Sequence, residues 1–351
     1  MTSVSLNFAS DNCGPAHPDI MAAVLASNDG HHKSYGADAM TQAVTAELRR
    51  IFEAPQAAVY LVATGTAANT LALSCYTKPW DAIFCHRESH VETDECGAPE
   101  FYSGGAKLSL VDGPDRKMRA ANLTQAMEHS DGSVHQAQLG PISVTQATEA
   151  GTLYSCAEIE ALCKIAKDRG SACHLDGARF ANACVALDCT PAEMTWKAGI
   201  DAVSFGGTKN GCLAVEAVVL FDPDRAWEFE LRRKRAAHLF SKHRFLAAQM
   251  QGYLADGLWL RMARSANTTG GLLTRGLKQH PDIALTYEPE VNMIFAEMPR
   301  ELHQRARAGG ALYTVYGNLD SGPMEERLNS RMVCDWSKTE ADIEAMLGLL
   351  R

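Results

Sequence analysis

No CxxC pair occurs in this chain, although it holds eleven cysteines, among them Cys85, Cys163, Cys173 and Cys212 in apparent strands and helices. That scatter supports neither a zinc ribbon nor a disulfide framework, and it fits free thiols buried in a reducing compartment. Positive charge is also short, with 33 Lys and Arg against 42 Asp and Glu, a net charge of −9. A nucleic-acid partner or an anionic membrane surface is not expected. There is no uninterrupted apolar stretch of about 18 residues, and the segment Met1-Thr-Ser-Val-Ser-Leu-Asn-Phe8 lacks a basic region ahead of a long apolar run. A cytoplasmic location follows as an expectation. Low-complexity tracts, internal repeats and obvious linkers are missing as well.

What is present is an alternation of helical and strand patterns over 351 residues, enough for a large core and about two domains. Residues 41 to 53 place Val44, Leu48, Ile51 and Phe52 on one helical face, and the apolar run 57 to 62 reads as a strand. Ser155 and Glu158 fit a capping box for a helix whose Ile159, Leu162, Cys163 and Ala166 repeat at helical spacing and which Gly170 closes. The next strand carries His174 to Asp176. Such alternation predicts an α/β fold with a mostly parallel central sheet, whose reactive residues gather at the strands' C-terminal ends. The pattern changes near residues 222 to 250, where Phe221-Asp-Pro-Asp ends a strand and an Arg/Lys-rich helical stretch follows. This places a large α/β domain at 1–240, including the N-terminal segment, and a smaller α+β domain at 241–351. Ser337 and Glu340 read as a capping box for the last helix, with Ile343, Met346, Leu347 and Leu350 on one face.

The chemistry concentrates in two segments. In Asp201-Ala-Val-Ser-Phe-Gly-Gly-Thr-Lys-Asn-Gly211 a strand breaks at paired glycines and presents Lys209, placed to form an imine. In His174-Leu-Asp-Gly-Ala-Arg179 a strand ends in an aspartate suited to a pyridinium nitrogen and an arginine suited to a carboxylate. Together they point to a pyridoxal phosphate enzyme. Upstream, Ala63-Thr-Gly-Thr-Ala-Ala-Asn69 offers Gly65 for a tight turn and Thr66 as a cap, so that the start of the following helix suits a phosphate dianion. His86 and His90 stand after the next strand as candidates to lie against the cofactor ring. With Glu88, Glu92, Asp94 and Glu95 nearby, they also admit a reading as metal ligands, though no spaced third ligand set accompanies them.

The ordered set Ser10-Asp-Asn12, Thr64-Gly-Thr-Ala-Ala-Asn69, Ser89-His90 followed by Glu95 and Gly97, His174-Leu-Asp-Gly-Ala-Arg179 and Gly207-Thr-Lys-Asn-Gly211 resembles the threonine aldolase family. These are fold-type I pyridoxal phosphate enzymes of the β-eliminating lyase group, and the resemblance runs from about residue 5 to Trp336. It implies Lys209 as the lysine joined to the cofactor, Asp176 on the pyridine nitrogen, His90 stacked on the ring, and Gly65, Thr66 and Thr208 at the phosphate. Ser10, Arg179 and Arg331 would hold the substrate carboxylate. The activity implied is cleavage of L-threonine, L-allo-threonine or a related β-hydroxy-α-amino acid such as phenylserine to glycine and an aldehyde. β-Elimination, transamination or racemisation on the same cofactor is the alternative.

One segment departs from the family's pattern. Many members have a histidine in the loop after the central strand, where this chain reads Gln146-Ala-Thr-Glu-Ala-Gly151 with Glu149 in its place. The base that removes the substrate's hydroxyl proton stays open between His90 and Glu149. The stretch Leu231 to Phe245 reads as a helix with a solvated basic face and Leu239, Phe240 and Phe245 buried. The resemblance further implies a homotetramer, a dimer of dimers, with Lys242 or Arg244 reaching a neighbouring subunit's phosphate.

Overall fold

The alternation resolves, in a computed structural model describing residues 4–130 and 132–351, into a seven-stranded sheet. Its strands are β1 Ala58–Val62, β2 Asp81–His86, β3 Lys107–Val111, β4 Gln138–Thr145, β5 Cys173–Gly177, β6 Ala202–Gly206 and β7 Glu216–Leu220, in the order β1-β7-β6-β5-β4-β2-β3. Neighbours from β6 across to β3 run parallel, and β7 is antiparallel to both β6 and β1. The reversal has a simple cause. Only residues 207–215 join β6 to β7, and a parallel return needs a crossover of about a dozen residues or more. Strands β2, β5, β6 and β7 are buried along their whole length, as expected where helices cover both faces.

The local signals sit close to where the sequence puts them. The first amphipathic helix spans Ala39–Ile51, two residues ahead of its expected start, because the Asp38 carboxylate accepts from the Thr41 N–H. The Ser155–Glu158 capping box forms on both sides and starts the helix Cys156–Lys167, and Gly170 takes the left-handed conformation just past its end. Phe52, Phe180 and Phe205 meet edge-on or tilted in the core, with Trp259 against Phe205. Each such fully buried side chain contributes roughly 1.5–3 kcal/mol.

A second sheet, all antiparallel, is built from β8 Ala284–Leu285, β9 Met293–Pro299, β10 Thr314–Tyr316 and β11 Arg327–Val333 in the order β10-β11-β9-β8. Its core holds Leu273, Ile294, Met332 and Met346, and also Phe8 from the far end of the chain. The N-terminal segment is laced to it, Phe8 N–H donating to Leu312 and Val333 N–H donating to the Phe8 carbonyl. Residues 9 to 12 are thereby carried to the edge of the large sheet.

Two expectations need correction. The last helix is capped by Thr339 with Asp342, and Glu340 is its first residue instead of the partner of Ser337. Two overlapping candidates satisfy the same four-residue pattern, and the Asp335 carboxylate takes both the N–H and the hydroxyl of Ser337. The basic stretch is not one helix either. Ala226–Arg235 ends, Ala237 adopts a positive φ, and a new helix starts at Arg244. Phe240 is exposed, whereas Arg233 and His243 are buried.

Candidate active site

Because only β7 runs against the rest, the loops following β1, β2, β4, β5 and β6 and the first residue of β7 all open at one edge of the sheet. A cavity of about 300 Å³ lies there, walled by Thr64, Gly65 and Thr66 after β1, His90 after β2, Asp176 and Ala178 at β5, and Thr208, Lys209 and Glu216 around β6 and β7. Wider clefts exist elsewhere, one of about 510 Å³ beside Lys117 and Glu158 and one of about 830 Å³ beside Phe101 and Leu231. Neither brings a lysine against a buried aspartate.

A chain of hydrogen bonds crosses one wall. Asn69 Nδ2 donates to Asp176 Oδ2 at 3.1 Å and to Glu95 Oε1 at 2.9 Å, and Nδ1 of His90 donates to the same Glu95 oxygen at 2.8 Å. The other Asp176 oxygen accepts from the Ala178 N–H. The bond to Glu95 raises the His90 pKa above its ordinary value, against the opposing effect of burial, while desolvation raises that of Glu95. Two residues before Asp176, His174 lies between the hydroxyls of Ser143 and Ser204, and burial pushes its pKa down to about 4. It is a neutral spacer that fixes β5 between β4 and β6. His86 hydrogen-bonds the Gly113 carbonyl and the Glu88 N–H and is not on the cavity wall. Among the described residues, no three His, Cys, Asp or Glu side chains converge as a metal site.

The opposite wall is the turn after β1 and the lysine loop. Thr64, not Thr66, caps the helix Gly65–Ser74, its hydroxyl accepting from the Ala67 N–H. Gly65 and Thr66 are the first two helical residues, so their N–H groups have no intrahelical acceptor. Open space faces Gly65, where an added Cβ would meet nothing within 4 Å. The paired glycines before Lys209 have the opposite reason to be glycine. A Cβ on Gly206 would stand 2.4 Å from the Ala178 carbonyl oxygen, and one on Gly207 would stand 2.6 Å from that of Val215. The backbone must pass that closely for Lys209 and Asp176 to share one cavity.

The predicted carboxylate-binding residues gather at the N-terminal segment. Arg179 is buried and paired through Nε and Nη2 with both oxygens of Asp11, at 2.7 and 3.0 Å. Asp11, also buried, is held below the usual carboxylate range by Arg179 and Lys209, whose charges outweigh its desolvation. Ser10 caps the short turn Asp11–Cys13, and Arg331 extends from β11 to the Ala9 carbonyl, its Nε buried without a partner. Removing one member of a buried ion pair strands the other charge. Asp11→Ala is expected to destabilise the fold by about 3–5 kcal/mol, read as a shift of the urea unfolding midpoint at unchanged slope.

Glu149 lies in the loop after β4, half-buried and off the cavity wall, its carbonyl accepting from Arg116 at 2.8 Å. Its charge nonetheless raises the pKa of both His90 and Arg179. Arg244 is not brought to the cavity in this chain. Its Nε donates to the Ser27 carbonyl and its guanidinium covers Phe245, while Lys242 is exposed. Sequence reasoning missed Asn69, Asn12 and Glu216 on the wall, and the pairing role of Asp11. The first is the last residue of the quoted Thr-Gly-Thr-Ala-Ala-Asn motif, on the same helical face as Thr66, a spacing that was available to be read.

These residues fit pyridoxal phosphate. Lys209 faces an aspartate across a cavity of the right scale, a helix start offers free N–H groups, and the buried Asn69 Oδ1 beside Asp176 has no partner of its own. Comparison with known proteins agrees. The chain is 39% identical over 352 residues to a low specificity L-threonine aldolase of Pseudomonas sp. strain NCIMB 10558, covering 100% of this chain and 99% of that one. It is also 39% identical over 353 residues to one of Pseudomonas aeruginosa, covering 100% and 98%. The solved structure of Leishmania major threonine aldolase superposes with a TM-score of 0.90 at 25% identity, over 99% of this chain and 98% of that one. The sheet order, the lysine on the loop after β6 and the smaller antiparallel sheet are the fold-type I arrangement. With residues 7–300 matching the profile of the beta-eliminating lyases, the chain belongs to the beta-eliminating lyase family.

Proposed function

We infer that this chain cleaves β-hydroxy-α-amino acids, L-threonine, L-allo-threonine or a phenylserine-like substrate, to glycine and an aldehyde with pyridoxal phosphate held at Lys209. The observation that carries the reading is the approach of Lys209 and Asp176 across one cavity, with Asp176 tied through Asn69 and Glu95 to His90. Bound pyridoxal phosphate supplies the electron sink for the pair left on Cα when the Cα–Cβ bond breaks. Everything else falls to the protein. Asp176 keeps a positive partner at the ring nitrogen, and Gly65, Thr66 and Thr208 supply donors for the phosphate. Arg331, with a free Nε, and the unpaired edge of Arg179 grip the substrate carboxylate, and Ser10 lies beside them. An anchored carboxylate decides which Cα bond stands perpendicular to the ring.

His90 is assigned as the base for the hydroxyl proton, since it lines the cavity and Glu149 does not. Its raised pKa sets the sign of the pH dependence. The acceptor form is lost on protonation, so kcat/KM climbs as pH rises through a midpoint above about 6.5, and Glu95→Gln, which removes the cause, moves that midpoint down. His90→Asn lowers kcat by roughly 10²–10⁴-fold, the usual range for a general base, with Glu149→Gln costing less than about tenfold. The opposite order in phenylserine cleavage transfers the role to Glu149. Product analysis tests the reaction itself: glycine and an aldehyde support the inference, and a keto acid with ammonia gives the site to β-elimination.

A homotetramer built as a dimer of dimers, working in the cytoplasm, completes the proposal. In support, Lys242 is exposed and free to reach outward, Trp80, Phe101 and Trp227 are exposed apolar side chains, and no helix among the described residues is long and apolar enough to cross a membrane.

A further inference from the structure

Glu216 is the titratable residue of the cavity wall that the proposed chemistry leaves unused. It is a carboxylate, 7% exposed, that opens the one reversed strand. Since β7 runs against its neighbours, its first residue falls level with their last ones, Glu216 pairing in register with Val62 of β1 and Gly206 of β6. It therefore stands between the turn that would cradle a phosphate and the loop that carries Lys209. Its Oε2 accepts from the Gly207 N–H at 2.7 Å, and the side chain forms part of the cavity wall with Gly65, Thr66, Thr208 and Lys209.

The groups around it are few. Lys209 faces it from the lysine loop, Cys212 from the same connection and Tyr253 from the helix Arg244–Leu254. Burial holds the thiol and the phenol neutral, the helix Gly65–Ser74 contributes no titratable side chain, and Lys209 is the cation whose charge pulls the Glu216 pKa down; buried Arg233 lies one strand position away, at the Leu61 carbonyl. A phosphate dianion at the start of that helix would share the cavity with this carboxylate. Two such anions held close together in one cavity do not both stay ionised without an electrostatic cost.

We propose that Glu216 takes up a proton from solvent when a phosphate dianion settles against Gly65 and Thr66, and returns it when the phosphate leaves. This rests on the cofactor reading and adds to it a proton coupled to phosphate binding. The free protein is already poised for the step. Desolvation raises the Glu216 pKa to about 7, against the pull of Thr208, the Gly207 N–H and Lys209, and a nearby dianion pushes it further in the same direction. Protonated, the side chain becomes a donor at the cavity wall in place of a competing acceptor.

Titration calorimetry on the cofactor-free protein in two buffers of different ionisation enthalpy decides it. The probes are pyridoxine 5′-phosphate, which has the phosphate but no aldehyde to react with Lys209, and pyridoxine. At a pH of about 8, where the phosphate is a dianion, the phosphate ester is expected to bind with uptake of most of one proton, and pyridoxine with none. The Kd of the phosphate ester weakens by up to about tenfold per pH unit above the pKa of Glu216. In Glu216→Gln both the uptake and that pH dependence disappear. Equal uptake for the two probes on the wild-type protein overturns the proposal, and so does a Gln variant that keeps the wild-type uptake. If the variant fails to fold, the wild-type pair of probes still decides. A protein that gains no visible band with pyridoxal phosphate fails the cofactor reading itself, a different result from a coloured protein that takes up no proton.

Discussion

Lys209→Ala is expected to abolish turnover, lowering kcat by on the order of 10⁴-fold or more, equivalent to about 5.5 kcal/mol of barrier. The protein should also lose the absorbance at about 410–430 nm that the lysine–cofactor linkage produces. The size of the effect follows from position. No other lysine lines the cavity among the described residues, and the paired glycines let the backbone pass close to the carbonyls of Ala178 and Val215 so that this one can. Loss of folding would be a trivial cause of the same result. Lys209 is half-buried on a loop and lies outside the packed core, although its charge acts on buried Asp11 and Glu216, so the cofactor-free variant should stay folded with a loss of about 1 kcal/mol. A variant that keeps both the visible band and full turnover removes Lys209 from the centre of the site.

Lys209 and Asp176 were legible because each ends an apolar strand, and strand ends in a parallel sheet share one edge. Glu216 was not, for the same reason. Read along the chain, it begins a strand, and a residue at that place in a parallel sheet lies at the far edge. Its approach to the site depends on β7 running backwards, which follows from the short 207–215 connection and not from any residue pattern. Asp11 shows a second kind of blindness. The arginine in Asp176-Gly-Ala-Arg179 reads as a binder of the substrate carboxylate, and the carboxylate it is paired with in this chain comes from a segment 168 residues away. No periodicity reports a partner at that separation. The basic stretch failed differently: its composition suggested a single helix, yet the chain turns through Ala237 at positive φ and buries Arg233 under the carbonyl of Leu61. Helical propensity there yields to tertiary contacts.

Asp176→Asn separates the electrostatic role of that residue from its structural one. The aspartate accepts from Asn69 Nδ2 through one oxygen and from the Ala178 N–H through the other. Alanine would leave two buried donors unsatisfied at about 1–3 kcal/mol each, and a loss of activity could then be a loss of fold. Asparagine keeps the shape and one acceptor, so most of the stability survives while the negative charge proposed to face the ring nitrogen is gone. The expected result is a fall in kcat of about 10²–10³-fold, the scale set by removing one preorganised electrostatic partner, with the cofactor still bound and visible. KM should move far less than kcat, because the carboxylate grip proposed for Arg331 and Arg179 is untouched. The hydrogen-bonded chain adds a further consequence. Asn69→Ala breaks the link between Asp176 and Glu95, and since the three share one network its effect on kcat should not add to that of Asp176→Asn; a coupling of about 0.5–3 kcal/mol is expected from the double-mutant cycle. Strict additivity would mean that Asp176 acts on the ring alone, and that the line from Asp176 through Asn69 and Glu95 to His90 positions side chains without transmitting charge.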